Sequence, residues 1–138
     1  MLEECRSTGF NVGLPYRMFG RPILGLIDSE RAHGIGLSTL SKLERTSMGR
    51  GFLKSLYQSP EVPTNVFGLS FSHPLGIAAG FDKKAAALSA WPSLGFSWME
   101  YGGITRFPQD GNPKPRMFRA NKENALVNRM GFNNPGAL

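Results

Sequence analysis

Between Leu14 and Leu43 the apolar side chains return at three- and four-residue steps. Met18, Phe19, Ile23, Leu26 and Ile27 share one helical stripe, and Ala32, Ile35, Gly36, Leu40 and Leu43 form a second. This spacing predicts two short amphipathic helices over 14–47. Pro22 kinks or restarts the first. Asp28 and Ser29 offer oxygen caps to the second, and Glu30 suits its positive end. Residues 1–13 show no period and read as a loose end. The turn-rich run Gln-Ser-Pro-Glu-Val-Pro-Thr-Asn, 58–65, is the best boundary in the chain. We therefore divide the sequence into 1–13, a two-helix extension over 14–57, and an α/β unit over 58–138.

Beyond the boundary the period drops to two. Val66–Phe71 alternates as a strand does, Ser72-His73-Pro74 turns the chain, and Leu75–Ala79 runs apolar, as a strand covered on both faces of a parallel sheet would. Asp82 can cap a helix over Lys83–Leu94, which Gly95 stops, and Phe96–Tyr101 reads as the next strand, closed by Gly102-Gly103. Strand, helix and strand in this compass predict a right-handed βαβ unit with parallel strands. The segment 104–138 reads as loop with two extended pieces, Arg116–Arg119 and Ala125–Met130.

Composition sharpens this picture. Among 138 residues, 17 Gly and 10 Pro imply many turns and argue against an all-helical bundle. A single cysteine, Cys5, excludes a disulfide framework, and with only two histidines a His- or Cys-based metal site is not expected. No stretch reads as a membrane span, and the acidic start Met-Leu-Glu-Glu-Cys lacks a secretory pattern. The net charge of +6 is densest between Arg106 and Arg129, but no nucleic-acid motif accompanies it. An anion-binding or solvated basic surface fits better than a nucleic-acid partner. Gly34-Ile-Gly36 begins a dinucleotide-like pattern, but no strand precedes it and Thr39 stands at the third glycine.

Ligands of parallel α/β sheets bind at the carboxyl ends of the strands. Here those ends are Ala78-Ala79-Gly80, with Lys83 just beyond, and Gly102-Gly103. Both are stripped of side-chain bulk, so a flat ring could rest on the backbone. The same small residues also serve plain helix–sheet packing, and Lys83 could be a solvated lysine; spacing leaves both readings open. In 128–134, Asn-Arg-Met-Gly-Phe-Asn-Asn, three amides and a guanidinium could grip a small polar or anionic ring.

Taken together, 68–83, 111–119 and 128–134 closely resemble the amino-terminal third of dihydroorotate dehydrogenases of the membrane-associated, quinone-dependent class. The resemblance runs over about 14–138 and includes Leu-Ile-Asp-Ser-Glu-Arg-Ala-His, 26–33, which is similar to that class's helical extension. It implies the start of a (β/α)₈ TIM barrel, incomplete as given, with FMN at the carboxyl ends of its strands. It implies oxidation of dihydroorotate to orotate in de novo pyrimidine biosynthesis, with electrons passed to a quinone. By position, Ala78, Ala79, Gly80, Lys83 and Gly103 are implied to contact FMN. Lys83 with Asn128, Arg129, Met130, Gly131 and Phe132 would bind substrate, and His33 with Arg119 would lie near the quinone. The family's serine base would fall beyond Leu138, so no catalytic base is expected here and the chain alone is expected to be inactive.

Two positions depart from the family. Gly103 replaces a common Ser or Thr, removing one hydroxyl contact to flavin, and His73 stands where Asn is common before the turn. The expected location is peripheral, on the cytoplasmic face of the cell membrane. The competing reading is a non-catalytic basic α/β module that binds a membrane surface or an anionic partner.

Overall fold

Pro22 restarts the first helix. In the computed structural model, which describes residues 16–57 and 60–138, Tyr16–Gly20 winds one π-helical turn and leads into α1, Arg21–Gly25. Pro22 sits in the first turn of α1, where a missing N–H costs no helix bond. Helix α2, Ser29–Leu43, begins as expected, with the Asp28 carboxylate accepting from Arg31 N at 3.0 Å. The loose end at 1–13, Cys5, and the start of the 58–65 boundary lie outside the described residues.

The extension has more than two helices. A separate helix, α3, Ser47–Leu56, follows α2, capped by Thr46, whose Oγ1 accepts from Gly49 N at 3.0 Å. Met48, Phe52, Leu53 and Leu56 carry its period, diluted in the sequence by Gly49 and Gly51. Gly49 permits the tight α2–α3 corner, since a Cβ there would lie 2.1 Å from the Leu43 carbonyl oxygen.

The strand predicted over Val66–Phe71 is instead a hairpin. Strands β1, Thr64–Val66, and β2, Leu69–Phe71, pair antiparallel with Val66 opposite Leu69. Phe67 and Gly68, at φ 52° and 77°, form the two-residue turn between them. The alternation noted in the sequence therefore runs across the turn.

The parallel pair is present. Strand β3, Gly76–Ile77, pairs with β4, Trp98–Met99, in parallel register, Gly76 with Trp98 and Ile77 with Met99. Only Ile77 is buried in this segment, and Leu75 is 64% exposed, so the strand expected to be covered on both faces is not so covered among the described residues. The crossover also differs. The helix expected over Lys83–Leu94 shrinks to α4, Ala90–Ser93. Ala85 takes a left-handed φ of 50°, and Pro92 fits only the first turn of a helix. In place of helix, the buried Asp82 carboxylate accepts from Ala86 N at 2.9 Å, Ala87 N at 3.0 Å and Trp91 Nε1 at 3.3 Å. Finally, β5, Met117–Ala120, and β6, Ala125–Asn128, form a second antiparallel hairpin from the two extended pieces of 104–138. The described strands make three two-stranded sheets and no closed barrel.

The core joins the extension to the crossover. Leu53 of α3 is buried with Ile77, Ala87, Ala90 and Trp91, and Leu37, Leu40 and Leu43 of α2 pack against them with Leu94, Phe96 and Met99. Leu40 and Leu43 thus serve the core rather than an outward apolar face, whereas Met18, Phe19, Ile23 and Leu26 are exposed.

The Asp82 clamp yields a test. Asp82→Ala strips one acceptor group from two amides and an indole, and a hydrogen bond to a charged group contributes about 1.5–3 kcal/mol. We expect urea unfolding followed by tryptophan fluorescence to show a loss of about 2–4 kcal/mol. A loss under about 0.5 kcal/mol would show that the clamp does not hold the crossover.

A cleft at the carboxyl end of the parallel strands

Three segments distant in sequence meet around a cleft of about 1190 Å³. The carboxyl end of β3 contributes Ala78, Ala79 and Gly80. The crossover contributes Lys83, the far end of β6 contributes Asn128 and Met130, and α2 closes one side. His33 and Arg119 also line the cleft, and both line a second hollow of about 940 Å³ beneath α1. The His33 ring meets Phe81 edge-on at 4.8 Å, so these two rings and Arg119 separate the spaces.

Lys83 is the cation of the cleft. Its Nζ donates to Asn133 Oδ1 at 2.5 Å. Burial lowers its pKa from the ordinary lysine value, the nearby Arg116 charge adds to the lowering, and Glu30 opposes both. Asn133 was singled out in the sequence only as one amide of the 128–134 run.

Arg119 is partly committed. Its Nη1 donates to the Ile27 carbonyl at 2.6 Å and its Nη2 to Leu24 at 3.0 Å, which satisfies carbonyls at the end of α1. The residue lines both hollows, and its guanidinium has further N–H donors beyond these two bonds.

Four of the sequence candidates are not among the residues lining the cleft: Gly103, Arg129, Gly131 and Phe132. Arg129 donates to the Pro115 carbonyl at 3.1 Å and lies 5.9 Å over the Phe118 ring. Gly131, at φ 73°, lets the loop press against Asn112, since a Cβ there would lie 2.7 Å from Asn112 N. Phe132 is 80% exposed. Asn134 ties the loop down instead: its Oδ1 accepts from Thr105 N at 3.1 Å and Gly136 N at 3.0 Å. His73 acts as a turn residue, its Nδ1 accepting from Leu75 N at 3.2 Å.

The basic cluster of 106–129 resolves into separate contacts. Arg106 lies over Phe107 at 5.4 Å, Lys114 pairs with Glu30 at 3.4 Å, and Arg116 is buried against the same carboxylate. Among the described residues no three His, Cys, Asp or Glu side chains gather as a metal site requires.

The family model for dihydroorotate dehydrogenase matches residues 61–138. The chain belongs to the dihydroorotate dehydrogenase family. A dihydroorotate dehydrogenase (quinone) of Stenotrophomonas maltophilia strain K279a is 50% identical over 116 residues, covering 84% of this chain and 32% of that protein. One from Gloeobacter violaceus is 47% identical over 124 residues, covering 88% of this chain and 35% of the relative. A crystal structure of the Eimeria tenella enzyme in complex with ferulenol superposes with a TM-score of 0.66 at 43% identity, over 79% of this chain and 27% of that one. The chain thus spans about a third of the length of the curated relatives it matches.

The dihydroorotate dehydrogenase (quinone) relatives imply a flavin, and the residues present fit one side of a flavin ring. Ala78, Ala79 and Gly80 leave the strand end without bulk, and even a Cβ added at Gly80 would meet only Lys83 Cε, at 3.9 Å. Lys83 supplies a cation and Asn128 an amide at the same opening.

Acid should loosen the wall formed by α2. Hydrogen bonds from Arg116 hold the Glu30 carboxyl below the usual glutamate value. A carboxyl depressed on folding contributes stability above its unfolded pKa, and that stability is lost as pH falls through the folded value. We therefore expect wild-type stability to drop as pH falls below about 4.3, the ordinary glutamate value. Glu30→Gln should be less stable by about 1–3 kcal/mol at pH 7 and show a flatter acid limb. Parallel acid limbs for the two proteins would refute the assignment.

Proposed function

We propose that this chain forms the amino-terminal part of the site at which dihydroorotate is oxidised to orotate through FMN, with the electrons passed to a membrane quinone. This is the redox step of de novo pyrimidine biosynthesis. One observation carries the reading. In a chain of this family, Ala78, Ala79, Gly80, Lys83 and Asn128 open onto one cleft, whose far wall carries His33 and Arg119.

FMN, when bound beside Ala78–Gly80 and Lys83, would supply two-electron redox chemistry between dihydroorotate and quinone. This chain's residues bind and orient. The β3 end offers a smooth backbone surface to the ring. The Lys83 ammonium has three N–H donors; one is held by Asn133, and the others are free to meet the substrate carboxylate. A compact cation suits a site crowded by a flat ring. Asn128 can donate and accept at the substrate's polar edge. The resemblance assigns removal of the neighbouring proton to a serine beyond Leu138.

On the other side of the His33–Phe81 wall, the hollow beneath α1 suits the quinone, with Arg119 and His33 as donors to a carbonyl oxygen. Met18, Phe19, Ile23 and Leu26, the last 91% exposed, form an apolar face flanked by Arg17 and Arg21. That face suits peripheral contact with the cytoplasmic leaflet, at about 1 kcal/mol per basic residue near anionic lipid. No helix among the described residues is long and apolar enough to cross a membrane.

Stopped-flow kinetics of the complete flavoenzyme carrying this chain separate the two halves. Lys83→Ala should slow flavin reduction by dihydroorotate by at least about a hundredfold, the loss of a few kcal/mol, while reoxidation by quinone persists. Deletion of 1–27 should do the reverse: reduction survives, and reoxidation by a long-tailed quinone falls together with binding to anionic vesicles. The cut stops before α2 because α2 and α3 pack into the core. Wild-type reduction in Lys83→Ala would reduce Lys83 to a solvated surface group.

A further inference from the structure

One guanidinium ties the helical extension to the loop that lines the cleft. Arg116 is 7% exposed. On one side, its Nε donates to Glu30 Oε1 and Oε2 at 3.2 and 3.1 Å and its Nη2 to Oε1 at 2.6 Å. On the other, its Nη1 donates to the carbonyls of Asp110 at 2.5 Å and Asn112 at 3.1 Å.

We propose that Glu30 and Arg116 are positioning residues for the Lys83–Asn133 lip of the cleft, so that α2 sets how tightly the cleft holds an anionic, planar ligand. The identity of that ligand rests on the dihydroorotate reading; the coupling rests on contacts alone.

The contacts run unbroken from α2 to the lip. The 110–112 turn, held by Arg116, is laced to the ligand loop: Asn112 N donates to the Met130 carbonyl at 3.0 Å and Asn112 Nδ2 to that of Arg129 at 2.8 Å. Gln109 and Asn134 exchange backbone bonds at 3.0 Å on the outer side of the same turn. The fit at Gly111 is tight, since a Cβ there would lie 2.2 Å from the Met130 carbonyl oxygen and 2.9 Å from Asn133 Cβ. Asn133 in turn accepts from Lys83. A shift of the Arg116 guanidinium must therefore move the 110–112 turn, and with it Met130 and Asn133.

The pair also acts on the lip through charge. Among the groups that line the cleft, α2 brings Glu30, His33 and Lys42, the turn after it brings Arg45, and Lys84 stands beside Lys83. Strand β5 and its approach bring Arg119 and Arg116. Of these, Arg116 and Glu30 act on Lys83, in opposite senses. Glu30 is the sole carboxylate in this set, so its removal leaves the cations around Lys83 uncompensated.

Two readouts test the pair. The first uses the chain itself, with lysines carrying ¹³C-methyl labels and followed by NMR. Glu30→Gln should lower the proton affinity of Lys83 by at least about threefold. Plain unfolding would do the opposite, returning Lys83 to the ordinary lysine range. The second uses the complete flavoenzyme. Arg116→Lys keeps the charge but cannot bridge both sets of acceptors, and it should raise KM for dihydroorotate about tenfold with kcat within about twofold. An unmoved or upward-shifted Lys83 titration in Glu30→Gln, or an unchanged KM in Arg116→Lys, overturns the proposal. Failure of the unsubstituted enzyme to oxidise dihydroorotate would instead sink the functional reading, and the Lys83 titration would still decide the coupling.

Discussion

A buried guanidinium must have its donors met, and Arg116 can meet that demand only if two segments converge on it. Its partner Glu30 lies 86 residues earlier, in the first turn of α2, and its other acceptors are carbonyls of the 110–112 turn. Leaving such a charge unpaired in a buried site costs several kcal/mol. The requirement therefore fixes α2 along one side of the cleft and presses the 110–112 turn onto the 128–134 loop. Arg119 does the same for α1, its guanidinium donating to the Leu24 and Ile27 carbonyls. Arg116 and Arg119 thus pin the start of α2 and the end of α1, while α3 is held by the core.

The division of labour follows from this arrangement. The strand end at Ala78–Gly80 contributes an absence of bulk, Lys83 a compact charge, and the loop beyond β6 amides. None of these is reactive by itself. What they share is one opening, and that opening exists because helices and loop are clamped around it. The basic residues that make the sequence look like an anion-binding surface are largely spent on this clamping. Lys114 and Arg116 meet Glu30, Arg119 meets α1, and Arg129 meets the Pro115 carbonyl.

Local signals were legible in the sequence and long-range ones were not. The cap at Asp28, the parallel pairing of the 75–79 and 96–101 segments, the stop at Gly95 and the family motifs all depend on neighbours in sequence, and all could be read there. The crossover helix was misread because the alanine run favours helix while Ala85 and Pro92 break it, and because the Asp82 carboxylate finds partners up to nine residues away. The β1–β2 turn was hidden because Phe67, a residue seldom found at positive φ, occupies it. Helix α3 went unread because its two glycines blur the period. At the site, Ala78–Gly80, Lys83, Asn128, Met130, His33 and Arg119, which the sequence offered as candidates for flavin, substrate and quinone contact, all line one cleft. Glu30, Arg116 and Asn133 were missed as partners of Lys83, since nothing in the spacing of 30, 116 and 133 reveals that they meet.

The central claim is that the cleft at the end of β3 is where an orotate-like ring lies against the flavin. The most direct test is a crystal structure of the complete flavoenzyme with orotate bound. The account predicts orotate with its carboxylate within about 3.2 Å of Lys83 Nζ and its polar edge at the Asn128 amide, the limit set by ordinary hydrogen-bond geometry. Orotate bound away from Lys83 and Asn128, or a flavin ring that does not lie on Ala78–Gly80, would contradict it.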